Sequence, residues 1–251
     1  MRAIILGSGS KGNSTLLIGK NKKILIDVGF SYPKMLMNLG KFNVLPNDID
    51  AILITHTHKD HIAGLSTFIK KNNIMVYSNN KMLSELVKII PEEMIKIMED
   101  EYSIGEFNIT CIHTSHDAPG SVGFVINDDN SDLVYVTDTG YINKAYLSKL
   151  VNKDLYIFES NHDINMLMNG PYPYILKQRV LSDKGHLSNE LAGNYLKEII
   201  GDKTKKIILA HLSEINNTPS IALDTVQSIL NNNSIQIETA SQNESLDIGD
   251  F

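Results

Sequence analysis

The chain has almost no cysteine, no apolar run long enough to span a membrane, and no excess of positive charge. Its one cysteine, Cys111, excludes an intrachain disulfide and a cysteine-rich zinc site, so any metal must be held by histidine and carboxylate side chains. The formal net charge of -6 excludes a global basic field that would attract nucleic acid. Because neither a signal-peptide core nor a membrane span is evident, we expect a cytoplasmic protein.

The composition is that of an ordinary folded protein. Of the 251 residues, 42% are hydrophobic and 21% are charged, and this length is sufficient for one sizeable core. No low-complexity segment, long linker or shift in composition marks a domain boundary. We therefore predict a single domain over residues 1–251.

The densest group of functional side chains is an H-x-H-x-D-H motif directly after the apolar run 50–54. Side chains alternate along an extended chain, so His56 and His58 point the same way. Asp60 and His61 follow at the start of a predicted helix, which presents both from its first turn. Neutral imidazole and carboxylate suit zinc, manganese or iron. This density predicts a metal site rather than a polar loop whose histidines bond only to the backbone.

Other residues of metal-ligand type follow apolar runs further along the chain. His116, Asp138 and His211 each come shortly after a predicted strand. Because functional groups cluster where strands open into loops, we expect these three strand ends and the one before the histidine motif to converge on one edge of a sheet. Asp27 ends another strand, and we predict that it braces the histidine motif.

Hydrophobic periodicity predicts strands that first form a meander and then alternate with helices, in an order that partly repeats. The predicted strands are 3–6, 15–18, 23–27, 50–54, 74–77, 107–113, 121–126, 133–136, 155–158, 206–210, 235–238 and 245–248. The predicted helices are 32–39, 62–70, 81–89, 188–200 and 219–230. In the fourth helix, Leu191, Leu196 and Ile199 are expected to face inward. Residues 170–183 lack periodicity, which predicts an extended loop beside a substrate groove.

The order of these histidines and aspartates resembles that of the metallo-β-lactamase superfamily of binuclear hydrolases, over nearly the whole chain. Further segments resemble the small bacterial YycJ/WalJ/VicX group within it. They are the glycine-rich loop region 6–14, then 114–118 with 120–124, 182–188 and 211–219. The resemblance implies an α+β fold of four layers. This is an αββα sandwich of two mixed β-sheets flanked by helices, with metals at one edge.

Carried over by position, the resemblance implies two divalent metal ions (zinc, manganese or iron) held by seven side chains. His56, His58 and His116 would hold one ion, Asp60, His61 and His211 the other, and Asp138 would bridge the two. Such a centre supplies a bridging hydroxide near neutral pH.

Glu159 and His186 resemble an additional pair found in phosphodiesterases of the superfamily, in which the histidine protonates the leaving alkoxide. Glu159 would orient His186 and keep its imidazole protonated near neutral pH. Together with Asp60, these are the predicted catalytic residues. The alternative is that Glu159 pairs with a lysine and that His186 caps the helix after it.

Candidate substrate contacts flank the predicted metal site. Asn13 lies in the glycine-rich loop, Lys184 follows the aperiodic segment, and Asn217 comes shortly after the last predicted ligand. Lys184, with Lys177 and Arg179 nearby, is suited to contact phosphate, although such residues are equally typical of a solvated face. Asn217 could instead belong to a turn.

Together these features predict a metal-dependent phosphodiesterase that acts on DNA. The resemblance implies 5′-to-3′ exonuclease activity on double-stranded DNA, in which a metal-bridging hydroxide attacks phosphorus and His186 is the general acid. DNA is the expected partner, and no membrane or obligate protein partner is inferred. The alternatives are a hydrolase of a small cyclic phosphodiester, thioester or lactam, and a regulatory binding module with a metal-stabilised fold.

Overall fold

The computed structural model describes residues 1–232 and 234–251, whose strands form two seven-stranded mixed sheets. The first sheet contains β1 (Arg2–Gly7), β2 (Ser14–Ile18), β3 (Lys23–Ile26), β4 (Ala51–Leu53), β5 (Met75–Ser78), β6 (Ile95–Ile97) and β14 (Leu246–Asp250), in the order β14-β1-β2-β3-β4-β5-β6. The second contains β7 (Glu101–Ile104), β8 (Phe107–His113), β9 (Val122–Asn127), β10 (Asp132–Val136), β11 (Leu155–Glu159), β12 (Lys206–Ala210) and β13 (Gln236–Thr239), in the order β13-β12-β11-β10-β9-β8-β7.

Each sheet is antiparallel in one half and parallel in the other. In the first sheet the strands from β14 to β3 pair antiparallel, and those from β3 to β6 pair parallel. The second sheet repeats this arrangement, antiparallel from β7 to β10 and parallel from β10 to β13. The predicted meander followed by alternating strands and helices is therefore confirmed, as is its partial repeat.

Helices cover the outer faces of both sheets, as parallel strand pairs require for their crossover connections. The helices are α1 (Tyr32–Gly40), α2 (Lys59–Ile62), α3 (Leu65–Asn72), α4 (Leu83–Leu86), α5 (Lys144–Leu150), α6 (Ile164–Asn169), α7 (Tyr174–Leu181), α8 (Asn189–Ile199) and α9 (Pro219–Leu230). Side chains of α1 and α3 join the core of the first sheet, and those of α8 and α9 join a core on the second. Within the described ranges, every helix is too short or too polar to cross a membrane.

The central strands of the second sheet are buried on both faces, which is why they appear in the sequence as continuous apolar runs. Tyr135 and Ile157 belong to the core between the two sheets. Val134, Tyr156 and Phe158 belong to the second core, which α8 and α9 share. Alternate residues of one strand thus fill two different layers, and the predicted four-layer αββα order is confirmed.

The register of the second sheet brings the ends of its strands together at one edge. Val136 of β10 pairs with Phe158 of β11, which pairs with Leu209 of β12. β8 and β10 both run antiparallel to β9, so β8 ends at the same edge. The ends of β8, β10 and β12 therefore converge on one edge, as predicted. The fourth predicted end, that of β4 before the histidine motif, belongs to the first sheet instead.

Two predicted helices are shorter in the structure. The helix predicted over 62–70 is divided between α2 and α3 at Gly64, whose amide donates to the Val28 carbonyl at 2.9 Å. A Cβ atom on Gly64 would lie 1.9 Å from the Phe30 carbonyl oxygen, so the close backbone contact requires glycine. The helix predicted over 81–89 is reduced to a 3₁₀ turn followed by α4.

The prediction of an extended loop over 170–183 is wrong, because α7 occupies most of this segment. Tyr174 and Ile175 of α7 are 71% and 83% exposed, so apolar residues on the outer face conceal the helical periodicity. The inward position predicted for Leu191 is also wrong. This side chain is 44% exposed, and Ala192 takes the buried position in α8.

Candidate metal centre

Loops at the shared edge bring the predicted metal ligands into one cluster. Among the described residues, four groups of ligand atoms could each hold a metal ion, the atoms of a group lying within 4.8 Å of one another. They are His56, His58 and His116; Asp60, His61 and His211; His56, His61 and Asp138; and Asp138, Glu159, His186 and His211. All seven predicted ligands thus lie together, and the predicted pair Glu159 and His186 lies beside them.

The first group consists of three imidazoles. His56 and His58 belong to the loop after β4, and His116 belongs to the loop after β8. Nδ1 of His58 lies 3.2 Å from Nε2 of His116. Nδ1 of His116 lies 3.2 Å from the Gly185 carbonyl oxygen. A proton on Nδ1 would donate to this oxygen and leave the lone pair of Nε2 free for a metal ion.

The second group combines one carboxylate with two imidazoles. Asp60 and His61 belong to the first turn of α2, as predicted, and His211 directly follows β12. Oδ2 of Asp60 lies 3.5 Å from Nε2 of His61 and 3.6 Å from Nε2 of His211. The three ligand atoms therefore surround a common space.

Asp138 lies between the two groups and is 2% exposed. Its Oδ2 lies 3.3 Å from Nε2 of His61, and its Oδ1 lies 3.3 Å from Nδ1 of His211 and 3.9 Å from Nε2 of His116. Burial opposes the charge of Asp138, but His211 and His61 outweigh burial and hold the pKa of this carboxyl well below its usual range. A charged carboxylate at this position suits a bridging role.

Asp27 braces the histidine motif, as predicted. Its carboxylate accepts hydrogen bonds from the Thr55 amide at 2.9 Å and the Thr55 hydroxyl at 2.8 Å, and it lies 2.7 Å from Nδ1 of His61. Burial favours the neutral form of His61, but Asp138 and Asp27 outweigh burial and raise the pKa of His61 to about 10. The surroundings of this imidazole thus favour positive charge, which a bound cation would also supply.

Three residues of this region have left-handed backbone conformations. The φ angles are 62° at Asp27, 55° at Asp138 and 56° at His211. Each residue lies within two positions of a strand end. This conformation costs a non-glycine residue roughly 1–3 kcal/mol and persists where the surrounding contacts impose it, often at functional sites.

The donor set fits divalent cations. Nε2 of His56, Oδ2 of Asp138 and Nε2 of His211 are buried and have no hydrogen-bond partner within residues 1–232 and 234–251. A buried polar atom without a partner is costly, and two bound metal ions would satisfy all three atoms. Burial also lowers the pKa of His56 well below its ordinary value, so this ring is neutral, the form that binds metal. The clusters are consistent with a binuclear metal centre.

Glu159 is fully buried at the end of β11 and contacts two imidazoles through one oxygen. Its Oε1 lies 2.8 Å from Nδ1 of His186 and 3.0 Å from Nδ1 of His211. Its Oε2 accepts hydrogen bonds from the amides of Thr139 at 2.9 Å and Leu187 at 3.1 Å. Burial opposes the charge of Glu159, but His186 outweighs burial and lowers the pKa of Glu159 to about 2.

The alternative account of this pair is wrong. The partners of Glu159 are imidazoles and backbone amides rather than a lysine. The cap of α8 is Ser188 rather than His186, since the Ser188 hydroxyl accepts from the Leu191 amide at 3.2 Å. Glu159 also anchors His211, a contact that is not predicted from the sequence.

The comparison with known proteins agrees with this geometry. A family profile described as a beta-lactamase superfamily domain matches residues 22–212. The chain belongs to the metallo-β-lactamase superfamily. It is 39% identical over 225 residues to exodeoxyribonuclease WalJ of Streptococcus pneumoniae, a match covering 87% of this chain and 84% of that protein. It is 36% identical over 233 residues to exodeoxyribonuclease YycJ of Bacillus anthracis, covering 90% of this chain and 88% of that protein.

The comparison with solved structures agrees with the fold described above. The crystal structure of the metallo-β-lactamase fold protein YhfI from Bacillus subtilis superposes with a TM-score of 0.77 at 18% identity, covering 98% of this chain and 99% of that chain. At this identity the likeness shows the fold alone, and it confirms the predicted fold class. Superfamily membership and the ligand clusters together make the chain a metal-dependent hydrolase.

Two of the three predicted substrate contacts are buried asparagines that bond to the protein itself. Oδ1 of Asn13 accepts from the Gly9 amide at 2.8 Å, and its Nδ2 lies 3.3 Å from Oδ2 of Asp60. Nδ2 of Asn217 donates to the Asn161 carbonyl at 3.1 Å. Both amides support the loops of the metal centre, and their direct contact with a substrate stays a prediction.

A cavity of about 140 Å³ lies beside the cluster. His116 and His186 line it from the cluster, and Arg179 lines it from α7. Lys184 lines it as well, and its contact with a substrate stays a prediction. The segment 170–183 therefore borders the predicted groove, although as a helix rather than as a loop.

Asp117 also lies beside the proposed ligands, and it is not among the residues predicted from the sequence. Its Oδ1 lies 3.4 Å from Nε2 of His58 and 3.5 Å from Nε2 of His116. Its Oδ2 accepts from Nε of Arg179 at 2.6 Å. The sequence feature that could have identified Asp117 is its position directly after His116, within a segment that resembles the YycJ/WalJ/VicX group.

Asp27→Asn is expected to weaken the affinity for zinc about 10–100-fold, the usual cost of losing a group that orients a metal ligand. Asparagine tolerates the left-handed backbone of this position, so the change removes mainly the charge that faces His61. Isothermal titration of the metal-free chain with zinc measures the effect. In the control Asp50→Asn, which alters a surface carboxylate paired with Lys22, affinity should stay that of the wild type. An unchanged affinity in Asp27→Asn would show that this bracing contact is dispensable.

Proposed function

We propose that this chain is a binuclear metal-dependent exodeoxyribonuclease and that residues 1–251 form a single catalytic domain. The observation that carries the phosphodiesterase assignment is the contact of 2.8 Å between Glu159 and His186 at the edge of the ligand cluster. It supplies an anchored imidazole where a poor alkoxide leaving group would need a proton. The choice of DNA is supported by the two exodeoxyribonucleases to which the chain is similar.

The proposed metal ligands are the seven residues of the cluster. His56, His58 and His116 would hold one ion, Asp60, His61 and His211 the other, and Asp138 would bridge them. When bound, the ions supply Lewis acidity toward the phosphate and a nucleophilic oxygen at neutral pH. Histidine and aspartate accept zinc, manganese and iron alike, so each of these metals suits the site.

The protein side chains supply the proton and the orientation. Glu159 holds Nδ1 of His186, and the ring lines the cavity, so Nε2 is the atom that would protonate the departing oxygen as its bond to phosphorus breaks. Asp60 and Asp138 keep negative charge at the cluster. Since the net charge of the chain is -6, local cations such as Lys184 would attract the DNA backbone. By family resemblance we further propose 5′-to-3′ polarity, a double-stranded substrate and a cytoplasmic location.

The direct test is incubation of the manganese- or zinc-loaded chain with DNA and RNA, single- and double-stranded, labelled at either end. We expect stepwise shortening of double-stranded DNA from its 5′ ends and slower turnover of RNA. Cleavage from the 3′ end would contradict the polarity, and preferential cleavage of RNA would contradict the substrate.

The small cavity also suits a hydrolase of a small ester, which is the second candidate. Rapid turnover of bis(p-nitrophenyl) phosphate or a cyclic dinucleotide, without cleavage of any end-labelled nucleic acid, would favour that candidate. A regulatory binding module is disfavoured by the complete ligand set. It would gain support if His58→Ala abolished hydrolysis but left the cellular role intact.

A further inference from the structure

Arg179 and Asp117 connect the wall of the catalytic cavity to the proposed metal ligand His58. Nε of Arg179 donates to Oδ2 of Asp117 at 2.6 Å, and Oδ1 of Asp117 lies 3.4 Å from Nε2 of His58. Arg179 belongs to α7, and Leu176 and Val180 of the same helix also line the cavity. A continuous series of polar contacts therefore runs from the cavity wall to the ligand cluster.

The two ring nitrogens of His58 have different neighbours. Nδ1 lies 3.2 Å from Nε2 of His116, within the group of three imidazoles that could hold one ion. Nε2 lies beside Asp117 instead. A histidine that binds metal through one nitrogen usually donates the N–H of the other to a carboxylate or carbonyl, which fixes its tautomer and ring orientation. Asp117 occupies that position for His58.

Arg179 uses only part of its hydrogen-bonding capacity for Asp117. In the part of the chain that the structure describes, its side chain donates through Nε alone, and 56% of the side chain is exposed. A guanidinium carries five N–H donors in a planar fork, so four donors at Nη1 and Nη2 stay available. Lys177 of the same helix, in contrast, donates to the Met168 carbonyl at 2.7 Å.

We propose that Arg179 binds a non-bridging oxygen of the substrate phosphate through its Nη atoms while its Nε holds Asp117, and that Asp117 positions His58. Arg179 is then a substrate-binding residue and Asp117 a positioning residue. The inference rests on the proposed phosphodiesterase function, because it places the phosphate in the cavity that Arg179 shares with His186. Binding of the substrate and orientation of a metal ligand would thereby depend on one ion pair.

Asp117→Asn tests the positioning role on the full-length chain without any substrate. We expect the zinc affinity of one of the two sites to fall about 10–100-fold, while the other site keeps its affinity. Competition titration of the metal-free chain against a chromophoric zinc chelator resolves the two sites. In Arg179→Ala the carboxylate stays in place, so we expect a smaller loss, below about tenfold.

Arg179→Ala tests the phosphate contact. We expect KM for end-labelled DNA to rise about 10–100-fold, with a smaller change in kcat, because a charge-assisted contact to the backbone is lost. Arg179→Lys should restore only part of the affinity, since an ammonium group cannot hold the carboxylate and the phosphate in the same planar fork.

Arg2→Ala is the matched control, because it breaks a surface ion pair with Asp247 outside the cavity and should change neither measurement. Wild-type zinc affinity at both sites in Asp117→Asn would overturn the positioning role. Wild-type KM in Arg179→Ala, on DNA that the wild type cleaves, would overturn the phosphate contact. If the wild type cleaves no DNA, the proposed function fails, and the zinc titration still decides the role of Asp117.

Discussion

His186→Ala is expected to lower kcat on a DNA phosphodiester about 10²–10⁴-fold, the usual contribution of a general acid. The reason is that the leaving oxygen of DNA is a poor leaving group, and His186 is the anchored imidazole that lines the cavity. Single-turnover rates on end-labelled duplex, with the metal content of both proteins measured, separate this effect from any loss of metal.

The size of this effect should depend on the leaving group. Bis(p-nitrophenyl) phosphate releases a nitrophenolate, which needs no proton, so the same variant should lose less than about tenfold on that substrate. His113→Ala changes a half-exposed histidine at the end of β8, outside the cluster, and should keep full activity on both substrates. Equal losses on the two substrates in His186→Ala would contradict a general-acid role.

Asp138→Asn is expected to lower the rate of hydrolysis by at least about 10³-fold, because the cluster loses the carboxylate that is proposed to bridge both cations. Bound cations stabilise the transition state of such a reaction by several kcal/mol. Asp138 has imidazoles of both ligand groups within 3.9 Å. Asparagine also tolerates a φ of 55°, so the backbone should keep its conformation. We further expect one ion per chain rather than two, measured by elemental analysis beside the steady-state rate.

The control for this change is Asp224→Asn, on the exposed side of α9. It removes the same charge from an exposed side chain that belongs to none of the ligand groups, and it should keep two ions and the full rate. An Asp138→Asn protein with two ions and wild-type activity would show that this carboxylate does not bridge the metals.

The clustering of the proposed metal ligands could be predicted from the sequence because much of its geometry is local. His56 and His58 share one side of an extended segment, and Asp60 and His61 share the first turn of α2, so neighbouring residues define half of the site. His116, Asp138 and His211 lie further along the chain, and each follows a strand. The buried strands before Asp138 and His211 are visible in the sequence as continuous apolar runs, which are also a local feature. The register of the second sheet brings those three ends to one edge, and the packing of the two sheets places the histidine motif beside them.

The cavity wall could not be predicted in the same way. In α7 the side chains of Tyr174 and Ile175 face solvent, so the apolar pattern of the helix does not mark its buried side. The break at Gly64 depends on a backbone contact with Phe30, which lies more than thirty residues earlier in the chain. Neither the helix α7 nor the break at Gly64 is therefore visible in the hydrophobic periodicity of its own segment.

The identity of the clustered histidines and aspartates thus follows from the order of residues, since alternation, helix turns and strand ends are short-range properties. The particular carboxylate that contacts each imidazole does not, apart from the predicted pair of Glu159 and His186. Asp27 reaches His61 across 34 positions, Glu159 reaches His211 across 52, and Arg179 reaches Asp117 across 62. The first two contacts exist because neighbouring strands of one sheet end side by side, β3 beside β4 and β11 beside β12. The third exists because α7 lies beside the loop after β8. Folding of the whole chain therefore establishes which carboxylate orients which ligand.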